Sequence, residues 1–214
     1  MTEPDVTLTD YGLTIECALF AFLVYFHGDR RAPTRPWFIL FFGSIGVATL
    51  TGGTVHGFFL DPETIGYRIL WLSTLVAGGL AALATWAIGA RLWFSEKMAR
   101  WIIALATLEF VVYCAMVLYF QEFYITIANY LPPTLFLLIV FHKLYRHMRI
   151  RELGVGTLGL VLTFVAAGVQ QGRIALHPVY FNHNAVYHII QAVALFMIFS
   201  AARWLVKKKI PGLF

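Results

Sequence analysis

The sequence predicts an all-α membrane protein in which seven transmembrane helices form one bundle. Hydrophobic residues make up 60% of the 214 residues and charged residues only 13%, and the mean hydropathy is +0.75. Soluble domains carry about 25% charged residues, so this composition excludes an ordinary soluble fold. The apolar residues form seven long runs, and basic residues flank alternate ends of these runs. Both patterns are typical of multi-pass membrane proteins.

Each run approaches the roughly 20 apolar residues that a helix needs to cross a bilayer. Short connectors join the runs, and together they fill the chain, which predicts a single transmembrane domain over residues 1–214. The first run lacks the basic leader and the small-residue cleavage site of a removable signal peptide. The predicted helices span residues 11–26, 36–60, 65–88, 101–120, 123–141, 153–174 and 185–206.

Basic residues follow the first, third, fifth and seventh runs, whereas the connectors on the other side are acidic. Because Lys and Arg in short loops stay on the cytoplasmic side, we expect the N-terminus outside and the C-terminus in the cytoplasm. The net charge of +5 is then a topology signal, and nucleic-acid binding is not indicated. The cytoplasmic face takes 14 of the 16 basic residues, namely Arg30, Arg31, Arg35, Arg91, Lys97, Arg100, Lys143, Arg146, Arg149, Arg151, Arg203, Lys207, Lys208 and Lys209.

Two histidines are predicted to lie at a similar depth near the outer surface. His56 lies about four residues, or ~6 Å, before the end of the second run, and His188 lies near the start of the seventh. Polar side chains in membrane helices usually face the bundle interior, a cavity or a partner. Asn184, His188 and Gln191 are spaced i, i+4 and i+7 and share one helical face. His183 points about 140° away from His188 on a regular helix, so it joins this site only if the helix begins at or after it.

Carboxylates accompany the histidines. Asp61 and Glu63 follow His56 in the next connector, and Glu16 lies in the first run. Glu109 is different, because it lies near the middle of the fourth run, at a depth comparable to that of the Pro132-Pro133 pair in the fifth. Each feature also has a purely structural interpretation. Polar side chains link membrane helices by hydrogen bonds, and Gly53 and Gly57 form a GxxxG helix-packing motif.

Three stretches carry a resemblance to a known group. "LTDYGL", "GVATLTGGTVHGFF" and "HNAVYHIIQAVALF" resemble an uncharacterised family of bacterial seven-helix membrane proteins. The layout of that family is remotely similar to the alkaline ceramidase and progestin/adiponectin-receptor superfamily of membrane hydrolases. The resemblance implies a bacterial cytoplasmic (inner) membrane. It also implies zinc bound by one histidine late in helix two and two histidines in helix seven. His56 and His188 match two of these ligands, while Asn184 stands where the third is expected and Gly52 where an assisting serine is expected.

The first functional hypothesis is a zinc-dependent intramembrane hydrolase that cleaves a lipid amide or ester. Catalytic zinc takes three protein ligands and a water molecule, which it activates for attack on a carbonyl group. The substrate would be a membrane lipid that enters sideways between helices. This hypothesis assigns the metal to His56, His183 and His188, the base to Asp61 or Glu63, and the orientation of substrate, ligand or imidazole to Asn184, Gln191 and Glu16.

Two other hypotheses come from different functional classes. His56 and His188 could provide the two axial ligands of a haem or another tetrapyrrole. Alternatively, the protein is a non-catalytic transporter, receptor or assembly subunit, with Glu109, Asn129 and Pro132 along a path through the bundle. Whether the protein is an enzyme at all stays open on the sequence alone.

Overall fold

The structure is a computed structural model that describes residues 1–177 and 180–207. These residues form seven long helices. Every one of them is long and apolar enough to cross a membrane, which confirms the predicted all-α, seven-helix architecture. Lys208 and Lys209, which belong to the predicted basic face, lie outside the described residues. The helices are α1 (Pro4–His27), α2 (Arg35–Phe58), α3 (Ile65–Trp93), α4 (Glu96–Phe120), α5 (Phe123–Met148), α6 (Arg151–Gln171) and α7 (His183–Leu205).

Successive helices alternate in direction, so the bundle has two ends. We call the end that carries the N-terminus and the connections 59–64, 121–122 and 172–182 the N-terminal side. The opposite end, with the connections 28–34, 94–95 and 149–150 and the end of α7, is the C-terminal side.

The two largest differences from the predicted boundaries are of seven residues each. Helix α5 ends at Met148 rather than at Phe141, and α1 begins at Pro4 rather than at Tyr11. Proline is well suited to the first turn of a helix, where its missing N–H has no partner to lose. The added turns are polar, which hid them from a search for apolar runs. Their polar side chains turn inward, and Thr7 and Asp10 are both buried.

Glycines in α2 let α1 approach it closely. A methyl group on Gly53 would lie 2.7 Å from the Cβ atom of Asp10, and one on Gly57 would lie 3.0 Å from Thr7. Real Cβ atoms essentially never approach other heavy atoms to less than 3.0 Å. The predicted packing role of this GxxxG motif is therefore confirmed, and the motif fixes Asp10 against α2.

The half of the bundle toward the C-terminal side is filled by apolar side chains. Phe20 of α1 stacks on Phe199 of α7 with ring centroids 4.1 Å apart, and Phe42 of α2 meets Phe20 edge-on at 5.4 Å. This core needs no polar group to hold it together. Its fully buried side chains include Phe38, Phe41, Phe42, Ile88, Leu137, Phe141, Leu144, Leu153 and Leu195.

The half toward the N-terminal side is held together differently, by hydroxyl groups that join neighbouring helices. Such interhelical hydrogen bonds contribute about 0.6 kcal/mol each on average in membrane proteins. They leave the centre of this half unfilled. The pairs are Thr14–Thr49 (2.9 Å, α1 to α2), Thr51–Thr74 (2.8 Å, α2 to α3) and Tyr113–Thr126 (2.7 Å, α4 to α5).

We expect Gly53→Ala to destabilise the protein by about 1–3 kcal/mol, because the new methyl group overlaps Asp10 and forces α1 away from α2. Gly52→Ala is the matched control. Its methyl group would lie 3.5 Å from Thr74 and 4.0 Å from Asp10, which are ordinary contact distances. Unfolding in detergent, titrated with a denaturing detergent, measures both changes. Equal stability of the two variants would contradict this account of the helix contact.

Candidate functional site

A cavity of about 360 Å³ lies in the centre of the half toward the N-terminal side. Six of the seven helices line it; α4 is the exception among those described. It reaches Ile45 and Ala81, which lie ~20 Å and ~24 Å along their helices from the N-terminal side. Most of the lining is apolar. The polar lining residues are Asp10, Thr49, His56, Thr74, Thr126, Tyr130, Thr134, Thr163, Gln170, Asn184, Tyr187, His188 and Gln191.

The most buried polar contact of the cavity joins α1 to α7. His188 is buried, and its Nε2 atom lies 3.3 Å from the Oδ1 atom of Asp10, which is buried as well. The other ring nitrogen, Nδ1, lies 2.9 Å from the hydroxyl oxygen of Thr9. Both ring nitrogens of His188 are therefore engaged, one by a carboxyl group and one by a hydroxyl group.

The hydrogen atoms shared among Thr9, His188 and Asp10 can be assigned by counting donors. The Thr9 hydroxyl has one hydrogen, and the carbonyl oxygens of Asp5 and Val6 lie 2.8 Å and 2.9 Å away to accept it. Thr9 then accepts from Nδ1–H of His188, and a second hydrogen lies between Nε2 and Asp10. In this arrangement the Asp10–His188 pair has no net charge, which is the least costly state for a buried pair inside a membrane.

A second pair of a carboxylate and a histidine lies at the mouth of the cavity. Nδ1 of His56 lies 2.5 Å from Oε2 of Glu3, and both side chains are partly exposed. Because an ionised carboxylate only accepts hydrogen bonds, the hydrogen belongs to Nδ1, and the neutral ring carries its lone pair on Nε2. No described residue forms a hydrogen bond with Nε2. His56 also lines the cavity, so this nitrogen is available to a ligand.

Backbone hydrogen bonds attach the N-terminal segment before the first turn of α1 to the end of α2. The N–H groups of Thr2 and Glu3 donate to the carbonyl oxygens of Gly57 and His56. One turn further along, the Asp5 carboxylate accepts a hydrogen bond of 3.0 Å from the N–H group of Asn182, at the start of α7. The same few residues thus tie the end of α2 to the beginning of α7.

Gln191 contributes an unsatisfied polar atom to the cavity wall. Its side chain is buried, its Nε2 atom lies 3.5 Å from the hydroxyl of Thr163, and its Oε1 atom has no hydrogen-bond partner. Turning the amide over exchanges the two atoms but still leaves one without a partner. Asn184 lies on the same face of α7, about two turns nearer its start. Its Oδ1 atom accepts a hydrogen bond of 3.3 Å from Nε2 of Gln170. Of the two amides on this face of α7, Gln191 is therefore the one that has a buried polar atom without a partner among the described residues.

The other residues singled out from the sequence lie away from these contacts. Asp61 and Glu63 are exposed in the connection between α2 and α3, where Glu63 forms an ion pair of 3.0 Å with Arg68. Neither lines the cavity formed by the described residues. His183 is half-buried and is the first residue of a regular helix capped by Asn182. Glu16 does not line the cavity either, although its Oε2 atom is buried and without a partner.

The residues present do not fit the zinc site that the resemblance implies. Within the ranges 1–177 and 180–207, no three histidine, cysteine or carboxylate side chains are grouped so that they could hold a metal ion. His183 starts the helix with a regular turn and so stays about 140° from His188 around its axis. Axial ligation of a haem does not fit the observed contacts either, since Thr9 and Asp10 occupy both ring nitrogens of His188.

Residues 6–207 match a family described as a family of unknown function, DUF6962. The match spans nearly the whole chain. The chain belongs to this family. The matched DUF6962 region includes every described residue that lines the cavity, whereas Glu3 precedes it. No curated protein and no solved structure matches the chain.

The partners of the two histidines were not identified from the sequence. Asp10, just before the predicted first helix, was placed in the same layer as the histidines but was not assigned as a partner of His188, and Glu3 and Thr9 belonged to an apparently polar leader. One signal was available. Thr9 and Asp10 lie four and three residues from Leu13 on the apolar face, which extends that face back toward Pro4. This continuation of the helical period indicates a longer first helix.

We expect a double-mutant cycle of Asp10→Ala and His188→Leu to give a coupling free energy of about 0.6–1.7 kcal/mol, the range for interhelical polar contacts in membranes. Each single change leaves a buried polar partner unsatisfied, so the double variant should be more stable than the sum of the single losses predicts. Denaturing-detergent titrations measure all four proteins. A coupling of zero would show that the two side chains do not act as a pair.

Proposed function

We propose that this protein binds a small, mostly apolar molecule of the membrane in the central cavity and recognises its polar end at Asp10, His188 and Gln191. The observation that carries this proposal is the buried Gln191 amide in the cavity wall, whose Oε1 atom has no hydrogen-bond partner among the described residues. An unmatched buried polar group costs about 1–3 kcal/mol. A ligand that forms this hydrogen bond recovers that free energy.

The lining supports a neutral or cationic ligand. Pockets for small molecules have volumes of about 300–1,000 Å³ and combine apolar walls with a few polar groups, as this one does. No lysine or arginine is among the described lining residues, while Asp10 lies deep in the wall and Glu3 lies behind His56 at the mouth. Such a site does not neutralise a phosphate group. It suits a hydroxyl, amide or amine attached to a hydrocarbon chain.

The two halves of the bundle support a binding site rather than a transport path. Below the cavity, Phe41, Phe42, Leu137, Phe141 and Leu195 fill the space toward the C-terminal side. The excess of basic residues on the C-terminal side supports an orientation in which the cavity faces outward. The ligand would then come from the outer leaflet or from the outside.

Ala48→Phe fills part of the cavity, and we expect it to weaken binding of a radiolabelled long-chain amide at least tenfold, about 1.4 kcal/mol. Val47→Phe is the matched control, because Val47 is the adjacent residue, is exposed and does not line the cavity. Saturable binding to protein in lipid nanodiscs, compared with empty nanodiscs, measures both variants. An alkyl phosphate of the same chain length should compete poorly.

Equal affinities of the Ala48→Phe and Val47→Phe variants would place the binding site elsewhere. An alkyl phosphate that competes as well as the amide would contradict the assignment of ligand charge. Absence of saturable binding for both probes would overturn the proposal as a whole.

Hydrolysis of a lipid ester or amide is a second candidate function, and the Glu3–His56 pair favours it. A carboxylate that holds Nδ1–H of an imidazole, with Nε2 open to a cavity, is the arrangement of a general base. The resemblance to membrane hydrolases supports the same reaction. This form of the proposal uses no metal.

In the reaction, Nε2 of His56 accepts a proton from a water molecule as the water oxygen attacks the carbonyl carbon. The imidazolium, stabilised by Glu3, then returns the proton to the leaving alkoxide or amine as the C–O or C–N bond breaks. The products are a carboxylic acid and an alcohol or amine. General-base catalysis of this kind contributes about 10²–10⁴ in rate.

His56→Ala should lower the turnover of a radiolabelled long-chain ester by about 10² or more while leaving its binding within a few-fold, because His56 acts as base. Glu3→Gln should lower turnover less, since it removes only the partner of the ring. His27→Ala, at the other end of the bundle, is the control. Chelators should have no effect. Activity that disappears on chelation, or that survives in the His56→Ala variant, would exclude this mechanism.

A further inference from the structure

A glutamate on α4 faces outward at the middle of the membrane-spanning region. Glu109 lies ~20 Å from one end of α4 and ~17 Å from the other, and its side chain is exposed. It makes no hydrogen bond or ion pair with any residue in the described ranges. Ionisable residues at this depth almost always face a protein interior or a water-filled cavity. Glu109 therefore lacks a partner that its position requires.

The neighbouring helix α5 presents hydrogen-bond acceptors at the same depth. Pro132 and Pro133 lie inside α5 and have no N–H groups, so the carbonyl oxygens of Ala128 and Asn129 lose their helical partners. Ala128 is exposed, and the half-buried Asn129 side chain makes no hydrogen bond within the described part of the chain. Freed carbonyls inside a membrane must be satisfied by another group.

A hydrogen bond between α4 and α5 indicates the relative depth of these groups. The hydroxyls of Tyr113 and Thr126 lie 2.7 Å apart near the N-terminal side. Glu109 lies four residues further into the membrane than Tyr113 on α4, and Asn129 lies three residues further in than Thr126 on α5. The carboxyl group and the amide thus lie at a similar depth, about one helical turn below the contact.

We propose that a second copy of this chain docks on this α4–α5 surface, with Glu109 of each copy bonded to the Asn129 amide or the proline-freed carbonyls of the other. A carboxyl group in its neutral form donates one hydrogen bond, and the freed carbonyls only accept. Donor and acceptor occur together on one surface, so two copies related by a two-fold axis satisfy each other twice. This complementarity selects a second copy over an unrelated partner.

The packing of α4 supports the same conclusion. Only Ala99, Ala106, Tyr113 and Val117 of this helix are buried, and α4 has the smallest buried share of the seven spans. Leu105 lies one turn from Glu109 on the same side of α4, and its side chain is 64% exposed. It offers apolar contact around the polar pair, which excludes lipid from the hydrogen bonds.

Disulfide cross-linking in membranes tests the surface directly. In a chain with Cys17→Ala and Cys114→Ala, Leu105→Cys should form a covalent dimer on mild oxidation. Leu118→Cys should not, because residue 118 lies about 180° from Glu109 around α4 while being similarly exposed. Energy transfer between labelled copies at decreasing protein density in vesicles then gives the dimerisation constant.

Glu109→Leu should weaken dimerisation at least tenfold, whereas Glu109→Gln should keep most of it, because an amide still donates and accepts. Thr107→Val, on the opposite side of α4, should leave the constant unchanged. The proposal is overturned if Leu118→Cys cross-links as readily as Leu105→Cys, if Glu109→Leu dimerises like the wild type, or if the wild type stays monomeric at all densities. The last result would assign Glu109 to another membrane protein. These outcomes do not depend on whether the cavity binds an amphiphile.

Discussion

The contact between Asp10 and His188 is the interaction on which the rest of the structure depends. It joins α1 to α7 and so closes the ring of helices around the cavity. A carboxyl group and an imidazole can be this deep in a membrane only if they neutralise each other, and Thr9 completes the set of partners. Position 53 of α2 then has to be glycine, because Asp10 lies against it and leaves no room for a side chain. This one ionisable pair thus determines both the distance between α1 and α2 and the contact between α1 and α7 that closes the ring of helices.

The bundle solves the problem of polar groups in lipid in two ways. Toward the C-terminal side it avoids them, and stacked aromatic rings such as Phe20 and Phe199 fill the core. Toward the N-terminal side it pairs them across helix boundaries, as Thr14 does with Thr49. Hydroxyl pairs hold helices together without filling the space between them, so a cavity persists in that half. The location of the site follows from this division.

The sequence predicts the number and order of the helices because composition and apolar run length are sufficient for that purpose. It predicts the two cavity histidines, since His56 and His188 are polar at matching depths. It does not identify their partners, because the first turns of α1 are polar and only the folded bundle shows that Asp10 turns inward. Asp61 and Glu63 are near His56 in sequence but lie on the exposed connection, since α2 ends before them. Proximity along the chain was a poor guide where a helix end intervened.

The adjacent residues Gly52 and Gly53 of α2 are subject to different steric constraints. A side chain on Gly53 would overlap the Cβ atom of Asp10 in α1, while Gly52 lines the cavity between Thr74 and the Oδ2 atom of Asp10. A substitution at position 52 therefore changes the wall of the cavity, whereas a substitution at position 53 changes the distance between α1 and α2. The shape of the internal space and the spacing of the helices are thus set separately, by two neighbouring positions of the sequence.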